Sequence, residues 1–248
     1  MAAPDLDFYG PVATVTLRRP DQANRLGPDD LDALLAHIAA VNARPEVLVL
    51  RLCATGRHFC SGYDITQVGA AGAAHFEAMV DALEQARPVT IAAIQGGVYG
   101  GATDMALACD FRIGVVGGDL FMPAARLGLH YYRSGLERFV ARLGLNAAMR
   151  LFLTAERLDS AEMQAIGYLT EVVEAEALAA RVDALTATLA GMAPLALLGM
   201  KKNLQRIARG TLDAAELQAD ITATVQSADL QEGRAAWAEK RAPKFTGR

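Results

Sequence analysis

The chain has 248 residues, of which 52% are hydrophobic, and a formal net charge of -4. That length suits one large domain or one domain with a small appendage, and the balance excludes a disordered chain and offers no basic footprint for nucleic acid. Three cysteines, Cys53, Cys60 and Cys109, lack a CxxC spacing and read as free thiols of a reducing compartment.

The N-terminal MAAPDLDFYG has no basic segment followed by an apolar run, and the uncharged stretch 88–103 falls short of a membrane span and carries Gln95 and four glycines. A soluble, cytoplasmic protein without a membrane partner is expected. Residues 12–17 (VATVTL) alternate apolar with threonine, the period of a half-buried strand. Leu31, Leu34, Leu35, Ile38 and Val41 follow at helical spacing after Asp29 and Asp30. Residues 47–53 (VLVLRLC) form an apolar run suited to a central strand covered on both faces. A polar, glycine-bearing loop at 56–69 stands where such a strand ends and where ligands bind in open sheets. Residues 70–86 predict a helix with Phe76, Met79, Val80 and Leu83 on one face, stopped by Pro88.

Residues 89–110 (VTIAAIQGGVYGGATDMALACD) organise the rest: a buried strand, a glycine-rich turn and a helix start. Free amides and the positive dipole end at such a start favour negative charge, and Asp104 lies three residues beyond Gly101, so a donor and a carboxylate share one face. Glycines there serve close packing as readily as binding, and an acid in the first turn serves the dipole as readily as catalysis. Residues 111–116 predict another strand, with a short apolar piece at 120–122. From Leu136 the chain is helix after helix, with Asn146 and Ser160 as candidate starts, Gly167 as a stop and a last short strand at 169–173. Leu178, Val182, Leu185 and Leu189 mark one helix, residues 194–210 run from proline to glycine, and 211–227 and 230–241 complete the tail. The fold class is α/β with a helical appendage, divided as a core at 1–193 and a helical region at 194–248.

With VATVTLRRPDQAN, HFCSGYDI, IAAIQGGVYGGATDMALACD and EGRAAWAEKRAPKFTGR in this order, the chain resembles the crotonase superfamily, the enoyl-CoA hydratase and isomerase group, over nearly its whole length. The resemblance implies a crotonase-like spiral of strand-strand-helix units and a C-terminal helical region that forms a homotrimer or homohexamer. It also implies an acyl-CoA thioester substrate, with no metal and no cofactor beyond the coenzyme A that the substrate carries. In that family two backbone amides hold the thioester oxygen as an enolate forms. By motif these are Ser61 and Gly101, with Gly62, Tyr63, Asp64 and Gly100 in the same binding loops.

Two departures mark this chain. Asp104 stands where the hydratases place their first catalytic glutamate, and Pro123, Ala124 and Ala125 stand where they place the second. Tyr131, in LGLHYYRSG, aligns with a site tyrosine of methylmalonyl-CoA decarboxylases, to which GGATDM and the C-terminal motif are also similar, whereas Tyr63 replaces the histidine of that loop. Tyr131 and Tyr132 serve aromatic packing as readily as catalysis, and His58 and His130 serve as loop residues as readily as catalytic ones. The expected activity is an enoyl-CoA hydratase or isomerase chemistry with Asp104 and Tyr131 as catalytic residues. A decarboxylase-like acyl-CoA enzyme and a non-catalytic acyl-CoA binder are the alternatives.

Overall fold

In the computed structural model, which describes residues 3–67 and 69–248, a hairpin opens the chain: β1 (Asp5–Tyr9) lies antiparallel to β2 (Val12–Leu17). Then come α1 (Pro28–Asn42), β3 (Val49–Ala54), α2 (Ala70–Glu84), β4 (Val89–Ile94), β5 (Val98–Tyr99) and α3 (Gly101–Ala108). The middle holds β6 (Phe111–Val115), β7 (Asp119–Phe121), α4 (Arg133–Leu143), α5 (Leu145–Met149), β8 (Arg157–Asp159), α6 (Ser160–Ala165) and β9 (Glu171–Val173). Four helices end the chain: α7 (Leu178–Ala190), α8 (Pro194–Ala208), α9 (Ala214–Val225) and α10 (Ala228–Glu239).

The large sheet runs β1-β2-β3-β4-β6-β9, parallel from β2 onward. Every residue of β4 is buried, which accounts for its unbroken apolar sequence. One face of the sheet packs on Leu34 and Ile38 of α1, Met79 and Leu83 of α2 and Met105 of α3; the other takes Leu178, Val182 and Leu189 of α7 against Val49, Ile91 and Ile113. A small sheet, β5-β7-β8, stands beside the first, and Cys60 bridges to Val98 at its edge. The chain therefore repeats a strand of the large sheet, a residue or short strand of the small one, and a helix: β3, Cys60, α2; then β4, β5, α3; then β6, β7, α4. That is the spiral the resemblance implied.

One local expectation changes: Asn146 does not cap a helix, because α5 already begins at Leu145 behind Gly144. Ser160 starts α6 as expected, behind the cap Asp159, whose side chain accepts from the Glu162 amide at 2.9 Å. Among the described residues no single helix is long and apolar enough to cross a membrane.

The tail is pinned to the core from α8. Lys201 Nζ donates to the Ala86 carbonyl at 2.8 Å and to that of Pro88, and meets Asp110 Oδ2 at 2.8 Å. Gln205 Nε2 takes the other Asp110 oxygen at 2.8 Å. Two buried carbonyls and a half-buried carboxylate thus share one ammonium, the arrangement that makes its burial tolerable.

Candidate active site

The site forms at the C-terminal edge of the central strands, where the 56–64 loop after β3 meets the glycine turn after β4. Phe59 N–H donates to Gly97 O at 3.0 Å, and Tyr99 N–H to Cys60 O at 3.0 Å. Gly62 makes the closest approach: with φ at +91°, a Cβ placed there would stand 2.7 Å from Tyr99 O and 2.9 Å from Gly101 N. Only glycine permits both that conformation and that contact.

This packing decides which amides can receive an oxyanion. Ser61 N–H donates to Ala23 O at 2.8 Å, so the donor expected at Ser61 is already committed to the protein. Leu26 N–H takes Gly62 O and Asp64 N–H takes Leu26 O, each at 2.9 Å, which leaves the residue between them open. Among the described residues, the amides of Tyr63 and Gly101 donate to no protein acceptor. Gly101 is unpaired because it is the first residue of α3, behind Gly100. The donor pair the geometry offers is therefore Tyr63 and Gly101, two residues along from the position inferred by motif. Asp64 faces away into its own turn: its Oδ1 accepts from Thr66 N at 3.0 Å and Thr66 Oγ1 at 2.8 Å, bonds that hold its carboxyl below the ordinary range.

Asp104, in α3, is fully buried. Arg138 Nη1 of α4 donates to its Oδ1 at 2.6 Å, and the Tyr132 hydroxyl donates to its Oδ2. Burial pushes the Asp104 carboxyl above its usual range, while Arg138 and then Tyr132 pull it down. The sequence reading gave the partner role to Tyr131; the structure gives the contact to Tyr132. Tyr131 stacks on Tyr132 with ring centroids 4.4 Å apart, and its hydroxyl lies a long 3.4 Å from that of Tyr132. Burial raises both phenols well above the ordinary value, so both are neutral donors. Gly135 lets α4 close on this group, since a Cβ there would stand 2.5 Å from the Tyr131 ring and 2.8 Å from Asp104 Oδ2.

Around this centre the rings of Tyr63 and Phe76 lie 5.7 Å apart, and those of Phe76 and Tyr132 6.2 Å apart, an aromatic wall from the open Tyr63 amide to the carboxylate. Ala124 is buried in a short turn and places no carboxylate opposite Asp104. His130 uses Nδ1 on the Tyr131 carbonyl at 2.8 Å, and the His58 ring packs 5.6 Å from that of Tyr99. Arg138 is the residue that the sequence reading missed, and Tyr132, weighed there beside Tyr131, was not given the contact to Asp104. The available signal for Arg138 was a charged residue beside Phe139 on the inward face of an amphipathic helix.

An open pair of amides beside a buried carboxylate carrying a phenol is an arrangement able to stabilise developing negative charge and to move a proton next to it. Comparisons with known proteins give the family. The enoyl-CoA hydratase/isomerase family model matches residues 7–248. A protein of Mycobacterium leprae named as a probable enoyl-CoA hydratase is 29% identical over 253 residues, covering 98% of this chain and 97% of its own. The methylmalonyl-CoA decarboxylase of Escherichia coli is 28% identical over 250 residues, covering 95% of each. A solved structure of an enoyl-CoA hydratase/carnithine racemase from Magnetospirillum magneticum superposes with a TM-score of 0.91 at 29% identity, covering 100% of this chain and 97% of that one. The chain belongs to the enoyl-CoA hydratase/isomerase family, and it has the crotonase fold.

Proposed function

We infer that the protein binds a CoA thioester with its carbonyl oxygen between the amides of Tyr63 and Gly101 and moves a proton on the acyl chain through the Tyr132–Asp104 pair. The observation that carries this reading is the Tyr132 hydroxyl donating to a buried Asp104 whose other oxygen is held by Arg138. When the Tyr132 oxygen takes a proton from the carbon beside the thioester, its own proton passes to Asp104 Oδ2. The C–H electrons move into the thioester, and the resulting enolate oxygen is met by the two amides. Returning the proton two carbons further along completes a double-bond shift, with no atom gained or lost.

One proton relay suffices for that shift, whereas adding water also requires a group to activate the water. Ala124 supplies none, so isomerisation is the leading reading. Water addition is the second, supported by the hydratase names of relatives such as that of M. leprae. Incubating the protein with 3-enoyl-CoA and 2-enoyl-CoA thioesters in heavy water separates them by mass spectrometry. Conjugated enoyl-CoA with deuterium in the acyl chain supports isomerisation, 3-hydroxyacyl-CoA supports hydration, and an unchanged panel contradicts both.

The assembly belongs to the same reading. Met200, Leu204 and Ile207 form one stripe of α8 and are 59%, 66% and 56% exposed in the single chain. Three large apolar side chains on a helix already fixed to the core by Lys201 favour a subunit contact, in a trimer or a hexamer. A location in the cytoplasm is in keeping with the free thiols.

A further inference from the structure

We propose that Arg209, at the C-terminal end of α8, is a positioning residue for the site carboxylate, acting through Glu84 and Arg138 to keep Asp104 ionised and aimed at Tyr132. The inference rests on the role given to Asp104 above. Arg138 spends its guanidinium on three carboxylates: Nη1 on Asp104 at 2.6 Å, Nη2 on Asp81 at 2.6 Å, and Nε facing Glu84 Oε1 at 3.1 Å. Left to itself, one cation would be divided among three acids. The balance comes from two further arginines. Arg142 stands 3.8 Å from Glu84 Oε1, while Arg209 Nη2 contacts Glu84 Oε2 and lies 3.7 Å from Asp81.

Three guanidiniums thus face three carboxylates. Glu84 and Arg138 are buried, so the cluster is poorly screened and a missing charge is felt by the rest. Asp104 is faced by Arg138 from α4, by Asp81 from α2, with Glu84 on the far side of Arg138, and by Tyr131 and Tyr132 from the segment before α4; Tyr168 donates its hydroxyl to Thr103 O nearby. Arg142 is held in place by the carbonyls of Cys109 at 2.6 Å and Ala108 at 3.3 Å, and cannot move to substitute for Arg209. Without Arg209, the unbalanced charge of Glu84 draws on Arg138, which then stabilises the Asp104 carboxylate less.

Arg209 is the cluster's only contribution, among the described residues, from the C-terminal helices. It lies two turns beyond Lys201, which fixes α8 to Asp110. The site therefore reaches its full charge complement only when the tail is docked, and docking and proton transfer become linked.

The test is a carbon NMR titration of protein labelled at aspartate Cγ, with the Asp104 signal identified by its loss in Asp104→Asn. In Arg209→Gln the Asp104 midpoint rises by roughly 0.5 to 1 unit, a size set by the loss of one partly screened charge felt through Glu84 and Arg138. Arg209→Lys restores most of it, and Glu84→Gln moves the midpoint the other way. Lys202→Gln is the control, since it removes a charge from the same helix whose partners are Glu216 and Asp220. An unmoved midpoint in Arg209→Gln, or an equal shift in Lys202→Gln, overturns the proposal. The titration is read without substrate, so failure of the acyl-CoA reading would appear in turnover and not here.

Discussion

Arg138 and Asp104 are joined by a 2.6 Å hydrogen bond between side chains that are both fully shielded from solvent. Burying two charges costs several kcal/mol per ion in real proteins, and the pairing offsets this only when the remaining lone pairs are also met. Here most are: Tyr132 serves the other Asp104 oxygen and Asp81 accepts from Arg138 Nη2, while Nε faces Glu84 Oε1 at 3.1 Å as an ion pair without a hydrogen bond.

Removing the cation alone should therefore be severe. Arg138→Met strands Asp104, leaves Asp81 and Glu84 to Arg209 and Arg142, and is expected to destabilise the protein by about 3–5 kcal/mol at neutral pH, the usual cost of breaking a buried pair. The pH dependence has a definite sign. Asp104 already has a raised folded value, and losing Arg138 raises it further, so the stability it contributes is held at low pH and lost as pH rises through that value. Urea melts should show a larger deficit at pH 7 than at pH 4.5; equal deficits would contradict the charge argument.

Gly135→Ala tests the close approach of α4. The new methyl meets the Tyr131 ring and Asp104 Oδ2 well inside contact distance, and overpacking of this kind costs about 1–3 kcal/mol. Calorimetry should show a lowered Tm, and activity should fall more than stability does, because the displaced groups are those of the site. An unchanged Tm would mean that the α4 backbone is not held against Asp104.

Glu232 predicts an acid-sensitive contact in the C-terminal segment. Glu232 accepts from Arg241 Nη1 at 2.6 Å and from the Lys244 amide at 2.7 Å, and these bonds hold its carboxyl down at about 2. A depressed carboxyl contributes stability above its unfolded value of ~4.3, and that contribution fades as pH falls towards 2. Amide exchange at Lys244 should therefore be slow at pH 5 and lose its protection between pH 4 and 2, with Glu232→Gln unprotected throughout.

The exposed stripe on α8 predicts assembly. Sedimentation at micromolar concentration should give a multiple of the 26.3 kDa chain, and Leu204→Lys should shift it towards the monomer. A wild-type monomer would leave Met200, Leu204 and Ile207 without their proposed cover.

Much of the architecture is legible in the sequence because burial on one or both faces leaves a periodic trace. The alternation of β2 and the apolar run of β4 are direct records of half and full coverage. The strands β5 and β8, two and three residues long, are too short to show any period. Site details were lost for a different reason. Whether Tyr131 or Tyr132 reaches Asp104 depends on one residue of register at the start of α4. Whether Ser61 or Tyr63 offers its amide depends on a bond to Ala23 made only in the folded chain. The motif located the loop, and tertiary hydrogen bonding chose the donor within it.

The central claim, that the Tyr132–Asp104 pair carries the proton, is tested most directly by acyl-chain deuterium uptake in heavy water with the thioester that wild type turns over. Tyr132→Phe and Asp104→Asn should each lower the exchange rate by roughly 100-fold or more, the usual worth of general acid–base catalysis, while thermal shifts show that thioester binding survives. Tyr131→Phe, one ring further out, should cost less. Full exchange activity in either Tyr132→Phe or Asp104→Asn would contradict the account.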